Sequence, residues 1–406
     1  MTFQNHESVR AAPRPRPPVT GQLSVPLLLR HLAAPRLPIL KKTTPFSLDL
    51  LKKALPPTGN FFISPFSVWS ALVLAYFGSR GNTKAELEQV LRLTNRRTRS
   101  PCSGPSNGGD YDSQEANQNY TINSANRIYF DQSIPVRECV GKVLDDKVKL
   151  IDFKRPDAAA ADINAFINAE TRGKIPKLIE PSFVKDAKMV LTNAVYFKGF
   201  WKYPFNPQRT HKDNFFINPK AALQVDMMSQ TGNFKYVDSE KLRAQVLEMP
   251  YKGDAVSMVV LLPRSGRAKE VDRLVRRLRP RRLVSVLKAM PSVPVRVKFP
   301  KIIVESALED ELISTLKNMG IRDLFSSAAD LTDFTHVRGL MVNRAIHKAL
   351  IEVDEEGAEA AAATVLVITK SSNAPKTTFT CNRPFVFYIK DNEANNILFM
   401  GVYRGL

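Results

Sequence analysis

The chain is poor in the residues from which catalytic and metal centres are usually built. It has three cysteines and five histidines among 406 residues, and none of them shows the spacing of a zinc site or a redox motif. No glycine-rich phosphate loop and no dinucleotide-binding fingerprint occurs. The sequence therefore predicts no metal, nucleotide or other cofactor, and we expect that the protein is not an enzyme.

Long apolar runs are also absent. No stretch of about 18 consecutive apolar residues exists, so the sequence predicts no transmembrane helix. The cysteines Cys102, Cys139 and Cys381 allow at most one disulfide and leave one thiol over. Acidic residues are outnumbered by basic ones, and the net charge is +20. Such a charge fits a soluble basic protein without a polyanion partner, or one that binds sulfated glycans, anionic lipid or nucleic acid.

The first 43 residues differ in composition from the rest. Prolines interrupt every possible helix there, and Pro26 with Arg30 spoils the apolar stretch that a secretory signal needs. We expect a disordered or wrongly predicted leader, or alternatively a transit peptide, followed by one domain over residues 44–406. The leader's charged residues are Glu7, Arg10, Arg14, Arg16, Arg30, Arg36, Lys41 and Lys42.

From Thr44 onward the periodicity predicts a large α+β domain. Helical patterns dominate early, including an almost entirely apolar helix after Ser64-Pro65, and strand patterns dominate from about residue 189. Strands and helices do not alternate regularly, which excludes a doubly wound parallel sheet. A basic helix from Arg267 to Met290 interrupts the strands.

Two candidate catalytic features carry no chemistry. The segment from Gly104 to Gly108 matches GxSxG around Ser106, but no strand precedes it and no helix follows to strain the turn. His347 lies in a buried-looking strand, where a histidine is usually a hydrogen-bonded core residue. We therefore predict neither a hydrolase nor a general base here.

Other surface features point to modification and to anions. The triplet beginning at Asn119 is a possible glycosylation sequon. In the basic segment a helical stripe of arginines can be a solvated face or a polyanion site, and single-stranded nucleic acid is disfavoured because no aromatic residues are interleaved. The stripe consists of Arg273, Arg276, Arg277 and Arg281.

The most unusual segment runs from Glu355 to Ile368. Two acids and a glycine precede contiguous small residues, which lead into branched apolar ones. By itself this predicts a short alanine-rich helix after a glycine break. Alternatively, a segment of this composition can lie outside as a loop and later enter a sheet, which would store free energy until a trigger releases it.

Taken in order, the segments resemble the serpins, a family of large loop-trapping protease inhibitors. The resemblance covers about Thr44 to Leu406 and rests on motifs that are specific in combination. These are NFFISPFSVWSAL, LTNAVYFKGFWKYPFNPQRT, VRVKFPKIIVES, LKNMGIRDLF, HKALIEVDEEGAEAAAAT and CNRPFVFYI followed by ILFMG. The seven-residue segment ADLTDFT departs from the usual family pattern, which leaves the local loop geometry open.

The resemblance implies a single domain with three β-sheets, about nine helices and an exposed reactive-centre loop. It also implies suicide inhibition of serine proteases, in which the cleaved loop inserts into the central sheet. The hinge of that loop corresponds to Glu355, Glu356, Gly357, Ala358, Glu359, Ala360, Ala361, Ala362, Ala363 and Thr364. On insertion, alternate residues point into the core, and all of them are small: Ala358, Ala360, Ala362 and Thr364.

The resemblance assigns further residues. Ser64, Ser67, Asn193 and His347 match a buried cluster beneath the sheet opening, and Trp201 matches the residue at its top. Counting from the hinge places the scissile bond at Ser371-Ser372, with Lys370-Ser371 and Asn373-Ala374 as alternatives. A serine-directed loop suits elastase-like proteases, and a lysine-directed one suits trypsin-like proteases.

The expected partner is a target serine protease in a covalent complex, with a sulfated glycan or other polyanion as a further partner and no nucleic acid. We expect a monomer that is secreted and glycosylated, as the family habit and Asn119 indicate. The alternative is an intracellular protein, because the leader is not a clear signal. The alternative function is a non-inhibitory serpin that acts as a carrier, chaperone or storage protein.

Overall fold

The computed structural model describes residues 43–93, 120–267, 269–356, 377–394 and 396–405. Within these ranges nine α-helices and fourteen strands form a mixed α+β fold, so the predicted fold class is confirmed. The helices are α1 (Thr43–Ala54), α2 (Pro65–Gly78), α3 (Gly81–Leu91), α4 (Glu138–Leu144), α5 (Pro156–Glu170), α6 (Pro181–Val184), α7 (Glu270–Arg277), α8 (Pro280–Lys288) and α9 (Asp310–Met319).

The strands fall into two hydrogen-bonded networks. Their bounds are β1 (Phe61–Ile63), β2 (Tyr120–Asp131), β3 (Val148–Ile151), β4 (Met189–Gly199), β5 (His211–Asn218), β6 (Ala221–Ser239), β7 (Ala244–Pro250), β8 (Val256–Pro263), β9 (Ser292–Pro300), β10 (Ile302–Leu308), β11 (Arg344–Val353), β12 (Thr377–Thr380), β13 (Phe385–Asp391) and β14 (Ile397–Tyr403).

One network has five strands in the order β10-β11-β4-β2-β3. The other has nine, in the order β1-β14-β13-β8-β7-β6-β9-β12, with β5 also paired to β6. Three sheets were expected, and the difference arises from β6. This 19-residue strand pairs with β5, then β9, then β7 along its length, and so joins two sheets into one network.

Helix α2 lies in the core because its sequence is apolar on every face. Ser64 is its N-cap and accepts a hydrogen bond from the Ser67 amide at 3.1 Å, and Pro65 occupies the first turn. Both residues favour a helix start at this position. The helix packs behind the five-stranded sheet, with β2 and β4 among its contacts.

Helix α5 and the segment that follows it cover the opposite, front face of the same sheet. The apolar side of α5 contributes buried residues such as Ile163 and Ile167, and the following segment contributes Ile175 and Leu178. They form one cluster with residues of both central strands: Val190, Ala194, Tyr196, Ile346 and Leu350. The junction between β4 and β11 is therefore covered on its front face.

The predicted single basic helix is wrong. The chain forms two helices, α7 and α8, with Leu278 and Arg279 between them in extended conformation. Pro280 causes the break, because proline has no amide hydrogen to donate within a helix and suits a first helical turn. The four predicted arginines consequently do not share one helix face.

Candidate functional site at the central strand pair

The central pair of the five-stranded sheet is the parallel pair β4 and β11. Its register runs without a gap from Arg344 opposite Val190 to Glu352 opposite Lys198. Asn193 lies directly opposite His347, and on the other side Asn126 of β2 lies opposite Asn193. Three polar side chains therefore stand side by side on three neighbouring strands, facing α2.

These residues form a connected hydrogen-bond network behind the sheet. His347 Nε2 accepts from the Ser64 amide at 3.0 Å, and His347 Nδ1 bonds Asn193 Oδ1. Asn193 Nδ2 donates to Ser67 Oγ at 2.6 Å and to the Ser67 carbonyl at 3.1 Å. Asn126 Oδ1 accepts from Asn193 as well. We call this set the back network: Ser64, Ser67, Asn126, Asn193 and His347.

Burial keeps His347 neutral, and the back network fixes which ring nitrogen carries the proton. The imidazole is 1% exposed, and burial lowers its pKa from 6.5 to about 3. Because Nε2 accepts the Ser64 amide, the proton of the neutral ring lies on Nδ1 and is donated to Asn193. The ring is thus a neutral link between two strands and the start of α2.

Sequence reasoning missed two polar members at this position. Asn126, which completes the network, and Ser124, which contacts both Asn126 and Ser67, both come from β2. They sit in an alternating strand pattern that gives no sign of a polar cluster. Only the register between β2 and β4 brings Asn126 to Asn193.

Trp201 lies apart from the back network, beyond the end of β4. Its indole Nε1 donates to the Asp354 carbonyl at 2.9 Å, and its amide donates to the Glu356 carbonyl at 3.1 Å. The indole also stacks on Tyr251 at a centroid distance of 4.5 Å. Trp201 therefore fixes the chain where it leaves β11.

The first hinge residue is also held by its side chain. The Glu355 carboxylate accepts from Lys301 Nζ at 2.8 Å and from Thr210 Oγ1 at 2.7 Å. Burial alone would raise the pKa of Glu355, but the bonds from Lys301 and Thr210 hold it below the usual value. Its carbonyl accepts from the Phe205 amide at 3.2 Å. Glu355 is thus anchored shortly after the end of β11.

A second cluster spans the same strand pair on the front face. Glu352 of β11 accepts from Lys174 Nζ at 2.8 Å and from the Tyr196 hydroxyl at 3.1 Å. Lys198 of β4 pairs with Asp354 at 3.0 Å and with Glu356 at 2.6 Å. Sequence reasoning did not single out these residues.

Several predicted residues lie outside the described part of the chain. These are the rest of the hinge, Gly357, Ala358, Glu359, Ala360, Ala361, Ala362, Ala363 and Thr364, together with Lys370, Ser371, Ser372 and Asn119.

The arginines of the basic segment surround a surface groove of about 320 Å³. Arg281, which was predicted to belong to the patch, does not line it. Arg273 and Arg277 pair with Glu270 at 3.1 and 3.2 Å, so part of the positive charge is balanced. The lining residues are Arg273, Arg276, Arg277, Arg279 and Arg282.

The cysteines of the described segments differ in state. Cys139 is disulfide-bonded, whereas Cys381 is a buried free thiol. Over the described ranges, no helix combines the length and apolarity that a membrane span requires.

Comparison with known proteins points to one family. The model of the family described as serpin (serine protease inhibitor) matches residues 41–404. The leukocyte elastase inhibitor of Sus scrofa is 34% identical over 370 residues, which cover 88% of this chain and 97% of the relative. Iris of Ixodes ricinus is 35% identical over 379 residues, covering 89% and 97%.

A solved structure agrees with the sequence relatives. Serpin48 of Tenebrio molitor, described as a highly specific serpin, superposes with a TM-score of 0.75 at 29% identity. The match covers 95% of this chain and 100% of that chain. Sequence and fold comparisons therefore agree over the whole domain.

Proposed function

Because the chain belongs to the serpins and acts as a suicide inhibitor of serine proteases, we propose that its cleaved loop enters the sheet between β4 and β11. Serpin loop insertion is an established case of strand addition driven by stored strain. The target protease's serine attacks a loop carbonyl, the peptide bond breaks, and the acyl-enzyme ester remains. Insertion then carries the bound protease away before water hydrolyses the ester.

The closed parallel pair β4–β11 is the observation that supports this proposal. The chain leaves β11 at Val353, and Trp201 and Lys301 hold Asp354 and Glu355 directly beyond it. A segment that turns back from this anchor reaches the β4–β11 junction first. The back network lies beneath the same junction, where it must rearrange for a strand to pass.

The composition of the hinge favours inhibition over a non-inhibitory role. If Ala358, Ala360, Ala362 and Thr364 face the core after insertion, no bulky or charged side chain has to be buried. Burying an unpaired charge at such a position is costly. A carrier or storage protein has no need for four small residues at this spacing.

We propose Ser371-Ser372 as the reactive bond, with Lys370-Ser371 as the alternative. The first choice suits an elastase-like protease and the second a trypsin-like one. Several relatives are leukocyte elastase inhibitors, which favours the elastase-like class.

The decisive experiment is incubation with elastase, chymotrypsin and trypsin, followed by denaturing electrophoresis and mass determination of the released C-terminal peptide. A denaturant-resistant adduct is expected with at least one protease. Ala360→Arg should abolish the adduct and leave simple cleavage, because the arginine would have to enter the core. Glu359→Arg is the matched control, since residue 359 would lie on the opposite face of the inserted strand and already carries a charge. Adducts that form equally with both variants would contradict the proposed insertion.

A polyanion site at the arginine groove is a second proposal. Five arginines line a concave surface, and two of them, Arg273 and Arg277, pair with Glu270. The remaining positive charge favours a sulfated glycan. We expect retention on a heparin column, with elution at lower salt for Arg276→Ala combined with Arg282→Ala. Arg281→Ala combined with Lys288→Ala is the control, because it also removes two positive charges and neither residue lines the groove. Equal shifts for the control and the groove variant would mean that the whole basic surface binds, without a defined site.

We further propose that residues 44–406 form a monomeric, secreted and glycosylated inhibitor domain. The disulfide at Cys139 supports an oxidising compartment, and Asn119 offers the acceptor site. Secretion into the medium and a mass shift on glycosidase treatment, lost in Asn119→Gln, are the expected results. Retention of the unmodified protein inside cells would favour the intracellular alternative.

A further inference from the structure

The front face of the sheet carries a cluster that joins three segments of the chain. Glu352 of β11 binds Tyr196 of β4 at 3.1 Å and Lys174, which follows α5, at 2.8 and 3.1 Å. Lys174 Nζ also lies 5.1 Å from the centre of the Tyr196 ring. We call Lys174, Tyr196 and Glu352 the front cluster.

Burial separates this cluster from an ordinary surface ion pair. Tyr196 is 3% exposed, because α5 and its following segment pack over it. Burial, and then the charge of Glu352, raise the pKa of Tyr196 well above its usual value. The hydroxyl therefore stays protonated and donates a hydrogen bond to the Glu352 carboxylate. A hydrogen bond to a charged acceptor is stronger than one between neutral groups.

The geometry of insertion requires this bond to break. Neighbouring strands lie about 4.7–4.9 Å apart, so a strand between β4 and β11 roughly doubles their separation. Tyr196 and Glu352 project from the same face of the sheet, near the end of the strand pair that is closer to Trp201. In register, Tyr196 lies opposite Leu350, two residues before Glu352. A strand that enters from the Trp201 end meets them early. The segment after α5 is bound to the same carboxylate through Lys174. Release of that segment from the front face is therefore coupled to the separation of β4 and β11.

We propose that the front cluster controls the rate at which β4 and β11 separate, with Tyr196 and Lys174 as positioning residues that act through Glu352. This inference rests on the proposed insertion between β4 and β11. It assigns the barrier to a named hydrogen bond on the front face, distinct from the back network and from the Glu355 anchor.

The test uses a synthetic peptide with the sequence of residues 358–368, added in excess to the full-length protein. Its incorporation is followed by native electrophoresis and by the rise in thermal stability. We expect Tyr196→Phe to accelerate incorporation roughly tenfold, because it deletes the hydroxyl and keeps the packing. Lys174→Met should accelerate it roughly threefold, since the lysine is partly exposed and its attraction is screened.

Lys212→Met is the control, because it removes a comparable ion pair, Lys212 with Asp226 at 3.0 Å, on β5 and β6. Its incorporation rate should equal that of the natural protein. If Tyr196→Phe also leaves the rate unchanged, the front cluster does not control separation. If the natural protein never incorporates the peptide, the insertion site itself is wrong, a distinct result.

A second measurement separates control of opening from simple packing. In protein cleaved within the loop, the inserted strand already separates Tyr196 from Glu352. Tyr196→Phe should therefore lower the denaturation midpoint of the uncleaved protein and leave that of the cleaved protein unchanged. An equal decrease in both forms would assign Tyr196 a packing role and overturn the proposal.

Discussion

Protonation of His347 should weaken the native fold in mildly acidic solution. Nε2 accepts the Ser64 amide and Nδ1 donates to Asn193, so the buried ring is complementary only as a neutral group. With a second proton on Nε2, the ring N–H would point at the Ser64 N–H, so two donors would face each other. The unfolded chain has no such restriction and takes up the proton at the ordinary histidine pKa.

The sign and size of the effect follow from the two pKa values. Burial lowers the pKa of His347 from 6.5 to about 3. Its contribution to stability is therefore complete above pH 6.5, decreases as the pH falls, and is lost below about 3. Each pH unit between these limits lowers the free energy of unfolding by ~1.4 kcal/mol. At pH 5 the free energy of unfolding should thus be about 2 kcal/mol lower from this residue alone.

The assay is denaturant unfolding of the uncleaved protein at pH 7.5, 6 and 5, in parallel for the natural chain, His347→Gln and His336→Gln. Carboxylates also make the free energy of unfolding depend on pH in all three proteins. The comparison is therefore between the slopes of the free energy of unfolding against pH. His347→Gln is expected to be less stable at neutral pH and to lose about 2 kcal/mol less on acidification. His336 is exposed, and its variant should follow the natural slope. Identical slopes for all three proteins would refute this account of the buried ring.

Three further predictions concern neighbouring groups. Lys301→Ala should cost about 1–2 kcal/mol of native stability in thermal unfolding, because it leaves the Glu355 carboxylate nearly buried with one partner. Since the pKa of Glu355 is lowered from 4.5, the loss should be present at neutral pH and disappear as the pH falls through that lowered pKa. Gly199→Ala places a Cβ 2.3 Å from the Tyr251 ring, so it should cost about 1–3 kcal/mol and change the fluorescence of Trp201. Cys381 should resist thiol reagents at pH 8 until the protein is denatured, because burial raises the pKa of its thiol.

The fold could be predicted from the sequence because its strongest elements have a local cause. No knowledge of distant contacts is needed to recognise that α2 is apolar on every face, that it begins at Ser64-Pro65, or that strand patterns follow residue 189. The family resemblance then supplied the roles of Ser64, Asn193 and His347. The structure brings these side chains into one hydrogen-bond network, and their roles stay a prediction.

The remaining members of the site could not be predicted, because they depend on contacts between residues far apart in the chain. Asn126 and Asn193 are 67 residues apart, and Lys174 and Glu352 are 178 apart; only strand register and the path of the segment after α5 bring them together. The arginine groove was predicted with one wrong member because a proline divides the basic segment. A helical periodicity assigned across Pro280 places Arg281 where the structure has Arg279 and Arg282.

The direction of the central strand pair limits how often one molecule can work. Since β4 and β11 are parallel, a segment that turns back after β11 lies antiparallel to both. The proposed insertion would therefore replace one parallel ladder with two antiparallel ladders, which are the more stable kind per residue. Reversal would have to break both ladders along their length. Under this proposal each molecule inhibits one protease and is then consumed.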